Sequence, residues 1–381
     1  MILLTLLSLA VACQPVTGLD SSPTIPPSPS PSATPSPIQP TIYLTPTPGY
    51  PEEGFGPTNF PTDINPLTGF STDPAALDRR PMLIKVSNLP REVRPQFGLS
   101  RADIVYEYYT EEGTTRFIAI YYSQDAEQVG SIRSARFFDE HIINMYRGLF
   151  VFGGADERVL DRLYKAQFAD RLIVELQTEC PALCRPDPVT NYLIADTIAL
   201  REFVREQGIS DEKQNLEGMR FQMQSPGGGQ TVDRIFAWYS TVIYNRWDYD
   251  PPSGRYYRYV DVENALDVQA EVYKPLRDAL IDGPISADNV VVLLMPHTFY
   301  SVSPEMVEMQ FYRSGPAFAF RDGQVYELEW VRANEAGLYS LYTSDGGMYP
   351  FKPGTTWFEV MGLSTKMIQS ESAWRFEMRF P

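Results

Sequence analysis

The sequence predicts an α/β domain built on a mixed sheet, followed by a β-rich domain, with a disordered proline-rich linker ahead of both. Three observations point there. Between residues 64 and 224, short β-branched and aromatic runs alternate with stretches of helical periodicity. From 230 to 381 nearly all the apolar runs are of strand type. Before both, prolines interrupt every pattern a core would need. At 381 residues and 43% hydrophobic, the chain is long enough for about two domains.

Taken in order, residues 2–12 are an apolar stretch too short to span about 30 Å of hydrocarbon as a helix. The stretch ends at Ala10-Val11-Ala12-Cys13, which resembles a bacterial lipobox. The resemblance implies that residues 1–13 form a lipoprotein signal peptide and lipobox. Cys13 would then carry the lipid, and the mature chain would be held on the extracytoplasmic face of the cell membrane. Residues 14–63 read as a disordered tether. Within 14–61, 14 of 48 residues are proline, and only Asp20, Glu52 and Glu53 carry charge. Such a segment favours extended polyproline II, at about 3.1 Å per residue.

In the first domain, strands are expected over 82–86, 104–109, 117–122 and 149–152, and helices over 134–147, 156–166 and 197–207. The strands 104–110 and 115–122 read as a hairpin turning at Glu112-Gly113, which rules out an all-parallel sheet. A two-residue turn there would place Tyr109 opposite Arg116 and Glu107 diagonal to Arg116. The stretch Ser225-Pro226-Gly227-Gly228-Gly229 is a boundary signal. Beyond it, strands are expected at 235–239, 255–260, 289–294, 306–312, 317–320, 324–330, 339–342 and 356–360, with one helix near 272–280.

Composition excludes several function classes. With 48 acidic against 32 basic residues and a net charge of -16, neither nucleic acid nor an electrostatic grip on an anionic membrane is expected. The two histidines, His141 and His297, are far apart, and with 3 cysteines the chain lacks the ligand set of a zinc, haem or iron–sulfur centre. No metal or other cofactor is expected. No GxSxG, HExxH or GxxxxGK[ST] signature occurs, so Ser-His-Asp, zinc-protease and P-loop chemistry lose their support.

The residues that carry chemistry cluster in the first domain. Gly130-Ser131-Ile132-Arg133-Ser134-Ala135-Arg136 lies between an expected strand and helix. Free N–H groups at a helix start with the forks of Arg133 and Arg136 form a receptor for phosphate or carboxylate. In the plainer reading, Ser134 caps the helix and the arginines pair with Glu107, Glu111 or Glu112. A second strand-to-helix loop, Phe152-Gly153-Gly154-Ala155-Asp156, would share the carboxyl edge of the sheet, where open α/β sheets place ligands; equally, it is a tight turn with Asp156 as N-cap. Arg116 lies nearby in sequence. Asp103, Glu107 and Glu112 are the candidate carboxylates for general acid and base work, set against a simple ion pair. Trp238, Trp247, Trp330 and Trp357 are either a sugar platform or, at strand spacing, core. Cys180 and Cys184 are placed to form a disulfide in an oxidising compartment.

Several strings then resemble the YerB-like family of bacterial lipoproteins, whose two domains have no assigned function. They are NPLTGF from Asn65, RRPMLIKVSN from Arg79, VRPQFGLSRADIVYE from Val93, EEGTTRFIAIY from Glu111, VGSIRSAR from Val129 and FGGADE from Phe152. Later in the chain, ADNVVV from Ala287, SGPAFAF from Ser314 and PGTTWFEV from Pro353 also match. The chain departs at Phe152, where a histidine is expected, and at Thr190-Asn191, where a Pro-His-Asn segment is expected. The resemblance implies an architecture and an envelope location but no reaction. The functional expectation is a membrane-anchored envelope lipoprotein that binds an anionic or glycan-containing component, such as a cell-wall polymer. The alternatives are an envelope hydrolase using paired carboxylates and a scaffold for an envelope protein.

Overall fold

The computed structural model describes residues 49–379 apart from Ala336. Cys13 and the tether up to residue 48 lie outside the described residues. Residues 50–63, expected to belong to the tether, instead lie against the head. Tyr50 meets Phe55 edge-on at 4.9 Å, and Phe55 exchanges backbone hydrogen bonds of 2.9 and 2.8 Å with Phe221. Three aromatic residues in a polar stretch supply the anchors. Gly54 permits the approach, because a Cβ there would fall 1.8 Å from the Phe221 carbonyl oxygen.

Strands from both sides of the Gly-rich stretch 225–229 join in one 11-stranded mixed sheet. Its order from one edge is Ser340–Tyr342, Gln324–Arg332, Arg313–Arg321, Asn289–Met295, Thr356–Gly362, Ile104–Tyr109, Thr115–Tyr121, Met82–Ser87, Leu149–Phe152 and Leu172–Val174, with Gln230–Thr231 paired to the second of these. The joint is the parallel pairing of Ile104–Tyr109 with Thr356–Gly362. Thr115–Tyr121 and Arg313–Arg321 run against their neighbours, and the strands from Met82, Ile104, Leu149, Leu172, Asn289 and Thr356 share one direction. Their carboxyl ends therefore lie along one edge.

A 7-stranded sheet covers one face, ordered Tyr273–Pro275, Arg255–Asp261, Tyr244–Asp250, Arg234–Trp238, Ala373–Glu377 and Lys366–Gln369, with Ser286–Ala287 alongside. Trp247 and Trp374 pack against Trp357 and Phe318 of the large sheet. Trp247, Trp330 and Trp357 are core residues, and Trp238 stacks on Tyr244. Helix Asp139–Tyr146 lies on the other face, where Tyr146 bonds to Tyr106 at 2.8 Å. Helices Glu157–Lys165 and Thr197–Glu206 fall within the expected ranges.

Three expectations are corrected. The first helix begins at Asp139 rather than 134, because residues 133–136 are tied to neighbouring loops; Ser134 is not its cap. Residues 272–280 form the strands Tyr273–Pro275 and Arg277–Asp278 instead of a helix. The hairpin loop spans 110–114, with Glu112 and Gly113 both left-handed at φ 49° and 77°, so Tyr109 faces Thr115 and Arg116 faces Tyr108. That one-residue slip puts Arg116 on the helix face and leaves Glu107, opposite Phe117, on the face toward the second sheet.

Candidate functional site

At the carboxyl edge the two loops singled out from the sequence are joined. The Gly153 N–H donates to the Arg133 carbonyl at 3.1 Å, and the Ala135 N–H donates to the Gly154 carbonyl at 2.8 Å. The first loop is fixed to the sheet beneath by the Arg133 N–H, which donates to the Lys85 carbonyl at 3.0 Å. Asp156 caps helix Glu157–Lys165 through the Arg158 N–H at 2.9 Å. Around this junction the N–H groups of Ser134, Gly154 and Ala155 and the guanidinium of Arg133 have no hydrogen-bond or ion-pair partner among the described residues. All lie at intermediate depth. A Cβ built on Gly154 would meet nothing within 4 Å, so the backbone is open to a ligand.

Arg136 and Arg116 are committed elsewhere. Both bond to Glu111, Arg116 at 2.9 Å and the Nε of Arg136 at 2.6 Å. Arg116 also donates to the Ser134 carbonyl at 2.8 Å. Burial alone would raise the Glu111 carboxyl, but the two guanidinium groups outweigh it and hold it below its ordinary value. Burial, helped by the like charge of Arg136, pulls Arg116 down to about 10. These bonds engage the guanidinium groups of both Arg116 and Arg136. An open cleft of about 440 Å³ adjoins it, with Arg91, Glu92, Glu112 and Thr115 among its lining residues.

Beneath the loop lies a buried trio that sequence reasoning missed. Lys85 bonds to Asp139 at 3.1 Å and to the hydroxyl of Tyr108, which in turn donates to Asp139. The second Asp139 oxygen accepts the Arg136 N–H at 2.7 Å and so holds the loop's far end. Burial pulls Lys85 down to about 7, against the raising effect of Asp139. A lysine in the middle of the apolar run MLIKVS was the available signal.

The candidate carboxylates do not converge. Asp103 is buried and bonded to the Asn65 side chain at 2.7 Å, to the Tyr122 and Ser123 N–H groups at 2.7 and 3.1 Å, and to the Ser123 hydroxyl. Glu107 faces the second sheet, where Arg258 bonds both to it and to Glu359, the latter at 2.8 Å. Thr115, Asn88 and Asn245 complete the shell of Glu107, and Trp247 and Tyr239 that of Glu359. Glu107, Glu359 and Arg258 are all fully buried. Glu112 lies on the exposed hairpin turn. His141 and His297 are each bound to a backbone carbonyl at 2.9 Å. Cys180 and Cys184 are bonded, with Cα atoms 4.9 Å apart. Among the described residues no group of His, Cys, Asp and Glu could hold a metal ion, and no helix is long and apolar enough to cross a membrane.

Comparison with known proteins adds lineage to this geometry. Residues 67–193 match the N-terminal domain, and residues 235–358 the C-terminal domain, of a family described as protein of unknown function DUF3048. The chain is 28% identical over 304 residues to "Putative lipoprotein YerB" of Bacillus subtilis strain 168, covering 78% of this chain and 85% of that one. The crystal structure of YerB from Bacillus subtilis matches with a TM-score of 0.63 at 23% identity, over 78% of this chain and 96% of the other. That similarity shows the fold.

Proposed function

The chain belongs to the DUF3048 family, and from that premise we propose that it is a lipid-anchored envelope protein whose head binds an anionic envelope component at the carboxyl edge of its large sheet. One observation carries the reading: the joined loops at 133–136 and 153–155 bring N–H donors together with the guanidinium of Arg133, none of which has a partner among the described residues. Such donors, set on a rigid edge, suit a phosphate or carboxylate. The anchor is assigned to Cys13, on the lipobox pattern and the likeness to a lipoprotein.

The overall charge of -16 repels an anionic polymer at long range, so recognition rests on this local site and its affinity falls only shallowly with salt. The carboxylates proposed for hydrolysis are dispersed, and two of them are enclosed by their own partners, which favours binding over catalysis.

Calorimetric titration of the full chain with inorganic phosphate and with purified wall polymer tests the reading. Arg133→Ala is expected to weaken both by about tenfold or more, the loss of one charge-assisted contact of roughly 1.5–3 kcal/mol. Unchanged affinity in this variant would reject the site.

A further inference from the structure

We propose that the ligand of this site is an acidic glycan, with its acid group held at Arg133 and an adjoining sugar ring stacked on Tyr300. The inference rests on the anion-binding reading and adds the chemistry of the rest of the ligand.

Tyr300 belongs to a hairpin of His297–Val302 and Glu305–Met309 that leans over the carboxyl edge. The hairpin is tied down at three places. The Tyr109 hydroxyl donates to Glu305 at 2.6 Å, Arg162 bonds to Glu308 at 2.5 Å, and His141 bonds to the Met309 carbonyl at 2.9 Å. The ring of Tyr300 is propped by Phe137, at 4.8 Å between centroids. Phe137 is buried and lies four residues beyond Arg133, so the two are within about 14 Å of chain. The Arg162 guanidinium sits 4.1 Å from the Phe137 ring centre and 5.8 Å from that of Tyr300. Arg158, one turn before Arg162 on the same helix, bonds to the cap Asp156 at 2.9 Å. The aromatic ring therefore stands beside helix Glu157–Lys165, into which the Gly154–Asp156 loop leads.

Despite these supports, Tyr300 is 48% exposed. An aromatic ring propped at one side and open at the other is a preformed surface whose ordering cost is already met. A bare anion has no use for it. A pyranose does: its C–H face packs on the ring while its hydroxyl rim stays solvated or bonds to nearby polar groups. The guanidinium of Arg133 on the same edge, unpaired among the described residues, adds the requirement for an acid on the same molecule. An anionic membrane surface fits less well, because the chain's net charge opposes it and it would demand a broad basic patch.

Calorimetry on the full chain with three probes tests the inference: N-acetylglucosaminyl-N-acetylmuramic acid, which carries one carboxylate; uncharged diacetylchitobiose; and inorganic phosphate. The acidic disaccharide is expected to bind at least tenfold more tightly than either other probe. Tyr300→Ala is expected to weaken it five- to tenfold while leaving phosphate unchanged, and Tyr300→Phe to retain wild-type affinity. If phosphate binding depends on Arg133 but Tyr300→Ala leaves the disaccharide unaffected, the glycan assignment fails and the anion site stands. If Arg133→Ala changes neither ligand, the anion site itself fails. Binding to vesicles of anionic phospholipid that is lost in Tyr300→Ala, without disaccharide binding, would replace the glycan by a membrane.

Discussion

Glu107 and Glu359 stand opposite each other in the parallel pairing that joins the two halves of the large sheet, and the guanidinium of Arg258 from the second sheet bonds to both. All three are fully buried, and the Arg258 guanidinium carbon lies 4.6 Å from the ring centre of Trp357 and 5.1 Å from that of Trp247. Breaking such a set leaves charge in a medium that cannot solvate it, so the partner removed matters more than the bonds counted.

Arg258→Met should therefore destabilise the head by about 3–5 kcal/mol, read as a fall in the denaturation midpoint. A midpoint close to wild type would show that the two carboxyl groups do not depend on the guanidinium.

The same set fixes a pH dependence. Burial pushes Glu107 from its ordinary 4.5 up to about 8, against the opposing charge of Arg258 and with the like charge of Glu359. The folded chain thus keeps a proton there that the unfolded chain releases above about 4.5. This contribution is complete at low pH and is lost as pH rises from about 4.5 to 8. Glu107→Gln should flatten that part of the stability profile. An identical slope in wild type and variant would contradict the assignment.

Arg116, Arg133 and Arg136 should separate into two kinds. Arg136→Ala and Arg116→Ala each remove one of the two guanidinium partners of Glu111 and a donor to a backbone carbonyl, and should cost about 1–2 kcal/mol of stability. Arg133→Ala should leave the melting temperature unchanged. A melting loss in Arg133→Ala equal to that in Arg136→Ala would place Arg133 in the scaffold instead of the receptor.

How far the sequence disclosed this arrangement depended on the range of each interaction. The strands Met82–Ser87 and Leu149–Phe152 were legible because burial on both faces selects continuous apolar runs. Helix Asp139–Tyr146 was placed too early, since the stripe from Phe137 to Met145 is local while the loop's bonds to Lys85 and Gly154 are not. The hairpin register slipped by one because nothing in Thr-Glu-Glu-Gly-Thr distinguishes a two-residue turn from the observed five-residue loop. The partner of Glu107 lay 151 residues away, beyond any spacing rule. Both candidate loops were legible as strand-to-helix junctions; the sequence left open whether both arginines bind a ligand or both pair with glutamates, and the structure divides them, with Arg136 on Glu111 and Arg133 unpaired among the described residues.

The N-terminal assignment predicts a mature chain beginning at a lipid-modified Cys13, with Cys13→Ala released from the membrane fraction. Intact-mass measurement should show the added lipid mass. The same sample mapped without reductant should yield one linked peptide holding Cys180 and Cys184. An unmodified chain that retains Met1 would contradict the anchor.

If the joined loops at the carboxyl edge are the proposed anion receptor, their amides must respond to a bound anion. Amide NMR of the isotope-labelled full chain during titration with inorganic phosphate tests it most directly. Saturable shifts of the Ser134, Gly154 and Ala155 amides, abolished in Arg133→Ala while that variant remains folded, are the predicted result. Amides there that stay unmoved at saturating phosphate, with the shifts falling elsewhere on the head, would contradict it.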